Sequence, residues 1–339
     1  MKIYAFNEAG APASEAEIET PRPTGHEVLV RITRSGVCHT DVHIQKGEIA
    51  PAFPCVAGHE MAGEVVAVGD AVTSARPGDV RVVFPWIGCR ACAECRAGQE
   101  QRCPAPQTLG VRRNGGYADH VLVPHEEYLV DIEGLNLTWA ATLACSGLTA
   151  YRAVNKAVRG DLDDEIVVIG TGGVGLMGIA VLRALGYRRF TAVDVDDDKL
   201  ATARELGATR VVNSAKGDAR AEILELTGGG ATAVVDFVGT SQTAELGYQV
   251  LAKNGSLVIV GLFGGELRIP LQQMPLKNLT VSGSLVGSLG DLAEMVALAK
   301  SGRLPHVPII EKPLGAAAVN EALDGLAQGR VPGRIVLTA

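Results

Sequence analysis

The stretch Glu165-Ile-Val-Val-Ile-Gly-Thr-Gly-Gly-Val-Gly175 decides the fold of the second part of the chain. Its first five residues, Glu165–Ile169, form a short apolar run rich in β-branched side chains, which predicts a buried strand. The apolar residues of Val174–Leu185 recur at helical spacing, and the pattern stops at Gly186, a common helix end. A strand that passes through a glycine-rich turn directly into a helix is the start of a βαβ unit.

The glycines of this turn have the spacing G-x-G-x-x-G, in the strand–turn–helix context that gives the pattern its meaning. Gly170 permits a tight turn, Gly172 lets a pyrophosphate approach the backbone, and Gly175 lets helix and strand pack closely. The helix that begins near Gly173 and Val174 offers free N–H groups and a partial positive charge to phosphates. The turn therefore predicts a dinucleotide site.

The choice between NAD and NADP rests on Asp194, nineteen residues past Gly175 at the end of the next predicted strand. A carboxylate at this place accepts hydrogen bonds from the adenosine ribose hydroxyls and repels a 2′-phosphate. The acidic residues 196–198 deepen the negative potential. We therefore expect NAD.

Strands alternate with helical segments outward from this turn. Further strands are predicted at Phe190–Val195, Val211–Val212, Ala233–Phe237, Ser256–Val260 and Leu279–Ser282, with a helix at Lys199–Leu206. Such alternation predicts an α/β domain with a doubly wound parallel sheet.

The first ~145 residues have a different character, with short apolar runs bounded by Gly or Pro. Strands are predicted at Glu27–Thr33, Met61–Val68, Val80–Phe84 and His120–Pro124, as in an antiparallel, partly open barrel. The tail contains a predicted helix, Leu289–Ser301, and a last strand, Arg334–Leu337, which we expect to return to the first domain. The predicted domains are thus residues 1–146 with 285–339, and residues 147–284.

Composition excludes several classes of protein. The chain has 339 residues, of which 47% are hydrophobic, and its net charge is −7, so no overall basic field attracts nucleic acid or an anionic membrane. Met1–Gly10 has no apolar h-region, and the uncharged stretches Leu135–Tyr151 and Ile166–Leu182 are shorter than the ~20 residues that span a bilayer. We expect a cytoplasmic protein with reduced thiols.

Four of the seven cysteines lie within fifteen residues, and this segment is called the cysteine lobe below. Its members are Cys89, Cys92, Cys95 and Cys103. Four thiolates on one short loop suit a closed tetrahedral zinc site. Two disulfides and an iron–sulfur cluster are the alternatives. Disulfides fit poorly with an odd cysteine count and the absence of a secretory segment. Bacterial ferredoxins have fewer residues between the last two cysteines of their motif than the seven found here.

Several motifs, in this order along the chain, resemble the zinc-dependent medium-chain alcohol dehydrogenases. The resemblance covers essentially the whole chain and rests on Gly36-Val-Cys-His-Thr-Asp-Val-His43, Gly58-His-Glu60, the cysteine lobe, Gly115-Gly-Tyr-Ala-Asp-His-Val121, Cys145-Ser-Gly-Leu-Thr-Ala-Tyr151 and the glycine turn with Asp194. It implies a GroES-like β-rich catalytic domain and a Rossmann domain. Cys55 departs from the aliphatic residue usual at its position, and we expect it to pack in the core.

The resemblance also implies the catalytic residues. Cys38, His59 and Cys145 would hold a catalytic zinc with one open position, in addition to the structural zinc of the cysteine lobe. Zinc in such a site acts as a Lewis acid on the alcohol oxygen. Thr40 resembles the hydroxyl relay of the family and His43 its outer base. Asp41 would orient His59, and Glu60 would lie near the metal.

Cofactor and substrate contacts follow from the same resemblance. His39 and Arg334 are expected against the pyrophosphate, and Lys199 near the adenosine ribose. The other expected cofactor contacts are Thr149, Gly170, Gly172, Gly173, Val174, Gly175, Asp194, Val238, Val260, Leu262 and Leu285. The substrate pocket is expected to include Thr40, Trp86 and Leu285.

The predicted activity is reversible hydride transfer between a primary or secondary alcohol and NAD, giving an aldehyde or ketone. The substrate would be a small molecule, and the family forms homodimers and homotetramers. A specialised polyol, formaldehyde or other carbonyl dehydrogenase is the alternative enzyme. A zinc-lobe protein without catalysis is the other alternative, which the complete set of catalytic zinc ligands disfavours.

Overall fold

The computed structural model describes residues 1–49 and 52–339. They divide into two compact units. The first unit comprises residues 1–148, 287–301 and 308–339, and the second comprises residues 149–286 and 302–307.

The strands of the described residues are, in chain order, β1 Lys2–Ala5, β2 Ser14–Glu17, β3 Val28–Val37, β4 Glu60–Val68, β5 Val80–Val83, β6 His120–Val123, β7 Leu129–Asp131, β8 Ile166–Ile169, β9 Phe190–Asp194, β10 Arg210–Asn213, β11 Ala231–Asp236, β12 Leu251–Ile259, β13 Thr280–Gly283, β14 Ile309–Pro313 and β15 Arg334–Thr338.

The α-helices of the same residues are α1 His39–Gln45, α2 Ala93–Arg96, α3 Leu137–Ala141, α4 Ser146–Ala157, α5 Gly173–Leu185, α6 Asp197–Leu206, α7 Ala219–Leu226, α8 Ser241–Gln249, α9 Gln273–Lys277, α10 Leu289–Lys300 and α11 Ala316–Ala327. Short 3₁₀ helices lie at Glu100–Arg102, Glu126–Tyr128 and Thr142–Ala144.

The second unit is built on a six-stranded sheet with the order β10-β9-β8-β11-β12-β13, and all of its pairs are parallel. In the numbering of its own strands this order is 3-2-1-4-5-6, that of the Rossmann fold. All four residues of β8 are buried, as its apolar run predicts. Helix α5 ends at Gly186, whose φ of +89° is a left-handed conformation that glycine adopts without steric cost. The prediction of a doubly wound parallel sheet is confirmed.

Parallel strands place several of the expected cofactor residues of the second unit at one edge of this sheet. Gly170 follows β8, and Asp194 ends β9. Val238 follows β11, and Val260 follows β12. Because carboxyl ends of parallel strands meet at one edge, these residues lie along the edge where nucleotides bind in doubly wound folds.

The first unit contains a seven-stranded sheet in which β14-β15-β3-β4-β5-β7 form a path and β6 also pairs with β3. The pairs are antiparallel except β14 with β15. Because Ile335 pairs with Val37, the tail of the chain does return to the first sheet, as expected. Strand β3 continues to Val37, beyond its predicted end at Thr33, because both β4 and β15 pair with its last residues.

No helix among residues 1–49 and 52–339 is long and apolar enough to cross a bilayer.

Candidate functional site

Three separate segments of the first unit bring Cys38, His59 and Cys145 together. Cys38 stands between the end of β3 and the start of α1, and His59 directly precedes β4. Cys145 follows the 3₁₀ turn Thr142–Ala144 and precedes α4. The three side chains are buried, and their ligand atoms, with a carboxylate oxygen of Glu60, all lie within 4.8 Å of one another.

The geometry of this buried cluster fits a tetrahedral metal ion. The two sulfur atoms, of Cys38 and Cys145, are 3.9 Å apart, close to the ~3.8 Å that two thiolates on one zinc require at Zn–S bonds of about 2.3 Å. His59 Nε2 is buried and has no hydrogen-bond partner among the described residues. A buried polar atom without a partner costs about 1–3 kcal/mol, so an ion at this point would satisfy it.

The charges of the cluster favour a bound cation. The pKa of Cys38 is lowered well below its usual value, because the Cys145 thiol donates a hydrogen bond to its sulfur and His59 lies beside it. Burial raises the pKa of Glu60 to about 7, although the guanidinium of Arg334 opposes this shift. Arg334 is itself buried and forms an ion pair with Glu60. Of the two thiols at this site, that of Cys38 therefore loses its proton more readily than that of Cys145.

Asp41 contacts the ring of His59. One carboxylate oxygen lies 3.2 Å from His59 Nδ1 and 3.3 Å from the amide nitrogen of Gly58. The other accepts hydrogen bonds from the Cys38 amide and from the Tyr117 hydroxyl, each at 2.9 Å. With Nδ1 held by Asp41, His59 presents Nε2 to the metal position. Sequence reasoning missed the role of Tyr117, although its place in the Gly-Gly-Tyr stretch was the available signal.

Tyr117→Phe should loosen this carboxylate. The variant loses one hydrogen bond to a buried charged group, which corresponds to about 1.5–3 kcal/mol of unfolding free energy. We also expect zinc to pass faster to a chelator, because the residues that hold His59 are less ordered. Tyr248→Phe is the matched control, since the Tyr248 hydroxyl is buried without a partner among the described residues. Equal stability and zinc-release rates in the two variants would contradict the role of Tyr117.

The other catalytic residues expected in the first unit lie on or beside α1 and β5. Thr40 Oγ1 is 3.7 Å from Cys38 Sγ. His43 Nδ1 is 2.5 Å from a carboxylate oxygen of Glu48, a partner that the sequence did not identify. The ring of Trp86 lies 5.2 Å from that of His59, between centroids, and its N–H donates to the carbonyl of Ala144 at 3.0 Å.

The cysteine lobe forms a second possible metal centre, with all four ligand atoms within 4.8 Å of one another. Sulfur–sulfur distances of 3.4 Å for Cys92–Cys95 and 3.9 Å for Cys92–Cys103 exclude disulfides, which need about 2.05 Å. Backbone N–H groups of Cys89, Cys95 and Ala105 donate to sulfur atoms of the lobe. N–H donors stabilise thiolates, and backbone N–H groups lower the pKa of Cys89 to about 6.

Glu100 and Tyr128 anchor the cysteine lobe to the rest of the first unit. The Glu100 carboxylate accepts a hydrogen bond from the Gly88 amide at 2.7 Å and from the buried Tyr128 hydroxyl at 2.9 Å. Arg90 adds an ion pair with Glu127 at 2.8 Å. Neither the Glu100–Tyr128 hydrogen bond nor the Arg90–Glu127 ion pair was predicted, because each joins residues that are distant in the sequence.

The glycine turn of the second unit has the room that a dinucleotide needs. Gly170 has φ +86°. A Cβ on Gly175 would stand 1.8 Å from the carbonyl oxygen of Gly170, so only glycine fits between turn and helix. A Cβ on Gly172 would meet nothing within 4 Å, which leaves open space beside the start of α5. A positive φ, open space and a close helix–turn approach are the properties on which the three predicted roles depend.

Asp194 is already held by its surroundings. One carboxylate oxygen accepts hydrogen bonds from the amide and hydroxyl of Thr171, at 2.7 and 2.9 Å. The other accepts from the amides of Val195 and Asp196, at 2.8 and 3.2 Å. A ribose hydroxyl would compete most readily with the Thr171 hydroxyl, the one donor of the four on a rotatable side chain. Thr171 is a further residue that sequence reasoning missed.

The remaining expected cofactor residues belong to one unit or the other. In the second unit Thr149 is buried in α4, Lys199 lies in the first turn of α6, and Leu262 and Leu285 are each 61% exposed. In the first unit His39 starts α1, and Arg334 starts β15 with its guanidinium against Glu60.

Comparison with known proteins agrees with this geometry. The family model described as alcohol dehydrogenase GroES-like domain matches residues 24–134, and that described as zinc-binding dehydrogenase matches residues 173–301. An NAD-dependent alcohol dehydrogenase from Sulfurisphaera tokodaii is 38% identical over 99% of both chains.

Solved structures of dehydrogenases are also similar to this chain over its whole length. The crystal structure of the alcohol dehydrogenase from Aeropyrum pernix has a TM-score of 0.92 at 33% identity and covers 100% of both chains. That of the D-arabinose dehydrogenase from Sulfolobus solfataricus has a TM-score of 0.87 at 31% identity, over 100% of this chain and 99% of the other. The two domain matches, the full-length relatives and the two candidate metal centres agree: the chain belongs to the zinc-dependent medium-chain alcohol dehydrogenase family.

Proposed function

We propose that the chain interconverts a small alcohol and its aldehyde or ketone with NAD, at the site formed by Cys38, His59 and Cys145. The observation that carries this proposal is that the chain has two candidate metal centres with different ligand sets. A closed set of four cysteines leaves no open position, whereas two cysteines and one histidine leave a fourth position for substrate. The predicted fold class, reaction class, NAD dependence and zinc dependence are confirmed by the family match.

Each centre and cofactor supplies a defined chemistry. Lewis-acid catalysis at the substrate oxygen is what zinc contributes when bound between Cys38, His59 and Cys145. NAD held at the glycine turn would supply the hydride-transfer chemistry. The chain orients these parts: Asp41 holds His59, and burial of all three ligand side chains keeps the site dry.

Proton transfer is assigned to Thr40 and His43. The Thr40 hydroxyl, next to Cys38 Sγ, would take the proton of the alcohol and pass on its own. The Glu48 carboxylate lies 2.5 Å from His43 Nδ1 and fixes the orientation of this ring, and an imidazole is a suitable outer base.

Thr40→Ala should lower kcat by roughly 100-fold or more, within the range for general acid–base groups. Thr40→Ser keeps the hydroxyl and should retain most of the activity. The measurement is steady-state NAD reduction with both variants, together with their zinc content. Similar losses in Thr40→Ala and Thr40→Ser would show that Thr40 acts through packing rather than as a relay.

NAD selectivity is assigned to Asp194. Replacing Asp194 with Gly and Val195 with Arg should shift the ratio of kcat/KM for NADP over NAD upward by about 100-fold. Two charge-assisted hydrogen bonds to a 2′-phosphate correspond to ~3 kcal/mol, and tenfold is ~1.4 kcal/mol. Val195 is 65% exposed, so an arginine is tolerated there. An unchanged cofactor ratio would show that another residue sets the selectivity.

The substrate pocket is proposed from the residues around His59. Trp86, beside the ring of His59, is proposed as one wall of the pocket, with Thr40 as a further contact. The test is a panel of primary, secondary and aromatic alcohols, polyols, formaldehyde and aldoses, measured as kcat/KM with NAD. Turnover limited to polyols, formaldehyde or aldoses would move the enzyme to a specialised substrate class. Absence of turnover with every member would overturn the proposal.

Assembly and location are proposed on indirect support. Strand β13 ends the sheet of the second unit and pairs only with β12 among the described strands, so it could pair with a second copy. A homodimer or homotetramer is the expected state, to be measured by light scattering. All seven cysteines are free thiols, which suits a cytoplasmic enzyme. Localisation of a fluorescent fusion tests that proposal.

A further inference from the structure

A third group of potential metal ligands lies in the first unit and consists of residues that have no role in the two candidate metal centres described above. It consists of His26, His125 and Glu126, which we call the His26 cluster. One ligand atom from each lies within 4.8 Å of the others. His26 precedes β3, and the other two residues lie at the turn between β6 and β7, so a loop and a turn from different parts of the chain meet here.

The distances within the His26 cluster suit coordination. The Nδ1 atoms of His26 and His125 are 3.2 and 3.4 Å from the same carboxylate oxygen of Glu126. Around a tetrahedral ion with bonds of about 2.0–2.1 Å, neighbouring ligand atoms are ~3.3 Å apart.

The hydrogen bonds of the cluster bring two acceptors together. His125 Nδ1 accepts a hydrogen bond from the Glu127 amide at 3.2 Å, so in the neutral ring this nitrogen has a lone pair, for which an ion would compete with the amide. The same nitrogen faces the Glu126 carboxylate, which is also an acceptor. Two acceptors at 3.4 Å repel each other unless a positive charge lies beside them.

Glu126 supplies a buried negative charge. Its side chain is only 6% exposed, and the ion-pair partners identified for it are the two histidines. Burial alone would raise its pKa, but N–H donors of its own backbone and of Thr73, with the two imidazoles, hold the pKa below its usual value. The carboxylate is therefore charged at neutral pH, and within residues 1–49 and 52–339 its ion-pair partners do not include a permanent cation such as Lys or Arg.

We propose that the His26 cluster binds one divalent transition-metal ion of the zinc class through two imidazole nitrogens and one carboxylate. Imidazole with carboxylate suits zinc, nickel or copper better than magnesium or calcium, which prefer oxygen ligands. The two rings are stacked, 4.4 Å apart with 22° between their planes, so one ring must turn for both lone pairs to meet at one point. His26 can turn, because its side chain is 52% exposed.

An ion at this place would stabilise the first unit near the cysteine lobe. Glu127 and Tyr128, the next two residues after the cluster, are those that contact Arg90 and Glu100 of the lobe segment. Cross-linking His26 to this turn would restrict both the loop before β3 and the support of the lobe. The expected effect is a higher unfolding temperature, because an ion that binds the folded state stabilises it.

The test uses the full-length holoenzyme without a polyhistidine tag, dialysed to equilibrium against micromolar free Zn²⁺. Zinc per chain is measured by mass spectrometry. We expect zinc in the catalytic and structural centres plus one further equivalent, which is lost in His26→Ala and in Glu126→Gln. His306→Ala, at an exposed histidine of the second unit, is the matched control and should keep the extra equivalent.

The unfolding temperature should rise with added Zn²⁺ in the wild type and in His306→Ala, but not in His26→Ala. Three results would each overturn the proposal: no extra zinc in the wild type, extra zinc retained in His26→Ala, or extra zinc lost equally in His306→Ala. Because His26 is a surface residue, His26→Ala should fold normally, and its alcohol turnover should be unchanged. The zinc count therefore tests this site separately from the catalytic proposal.

Discussion

Cys38→Ser should abolish alcohol oxidation while leaving the chain folded. Metal-ion catalysis contributes several kcal/mol to a transition state, and ~4 kcal/mol corresponds to about a thousandfold in rate. A serine oxygen is a poorer zinc ligand than a thiolate, so we expect zinc content to fall by one equivalent per chain. The measurements are kcat/KM with NAD, zinc content and the circular dichroism spectrum.

Cys55→Ser is the matched control for this prediction. Cys55 is a partly buried cysteine of the same unit whose backbone pairs with Phe6, and burial raises the pKa of its thiol to about 11. Its replacement should leave zinc content and kcat near the wild-type values. Turnover retained in Cys38→Ser would refute the assignment of Cys38 as a ligand.

Cys95→Ser should act on stability instead of chemistry. Closed zinc sites contribute folding free energy directly, about 10–16 kcal/mol in small zinc-binding peptides. A loss of ~5 kcal/mol in this larger chain would lower the unfolding temperature by roughly 10 °C. Cys95 is buried among the other three cysteines of the lobe, so no solvent ligand can replace it easily.

The fraction of Cys95→Ser that stays folded should still bind NAD, because the glycine turn belongs to the second unit. Calorimetry and NAD titration by fluorescence separate the two effects. A variant with normal stability and no hydride transfer would mean that the cysteine lobe takes part in catalysis and is not structural.

Local patterns predicted the elements whose signal is contained in a few consecutive residues. Strand β8 and helix α5 were predicted within one residue at each end. The spacing of their apolar residues defines the two elements, and Gly170 and Gly186 mark where the strand and the helix end. Strand β2, with the sequence Ser-Glu-Ala-Glu, has no apolar pattern and forms through pairing with β1. No helix is predicted at α11, although its buried residues Val319, Ala322 and Leu323 have helical spacing.

The site was predictable where motifs are contiguous and not where contacts join distant segments. Cys38, Thr40 and Asp41 follow one another in one motif, and the structure places them around one point. The partnership of Tyr117 with Asp41 spans 76 positions, and that of Arg334 with Glu60 spans 274. Such contacts depend on how strands pair, and the spacing of residues within a motif does not determine that pairing. The neighbourhood of Cys145 could be predicted only through the family resemblance.

Helix α1 and the residue before it restrict how the activity can change over evolution. Four residues with proposed roles lie within six consecutive positions, 38–43. They are one proposed metal ligand, the carboxylate proposed to orient a second ligand, and both proposed proton carriers. Their spacing is thus inherited as a block, and an insertion or deletion there would disrupt every step at once. Trp86 and the proposed cofactor-selectivity residues lie on other segments. New substrate and cofactor preferences can therefore be acquired by mutation or recombination of those segments, while the reaction itself is preserved.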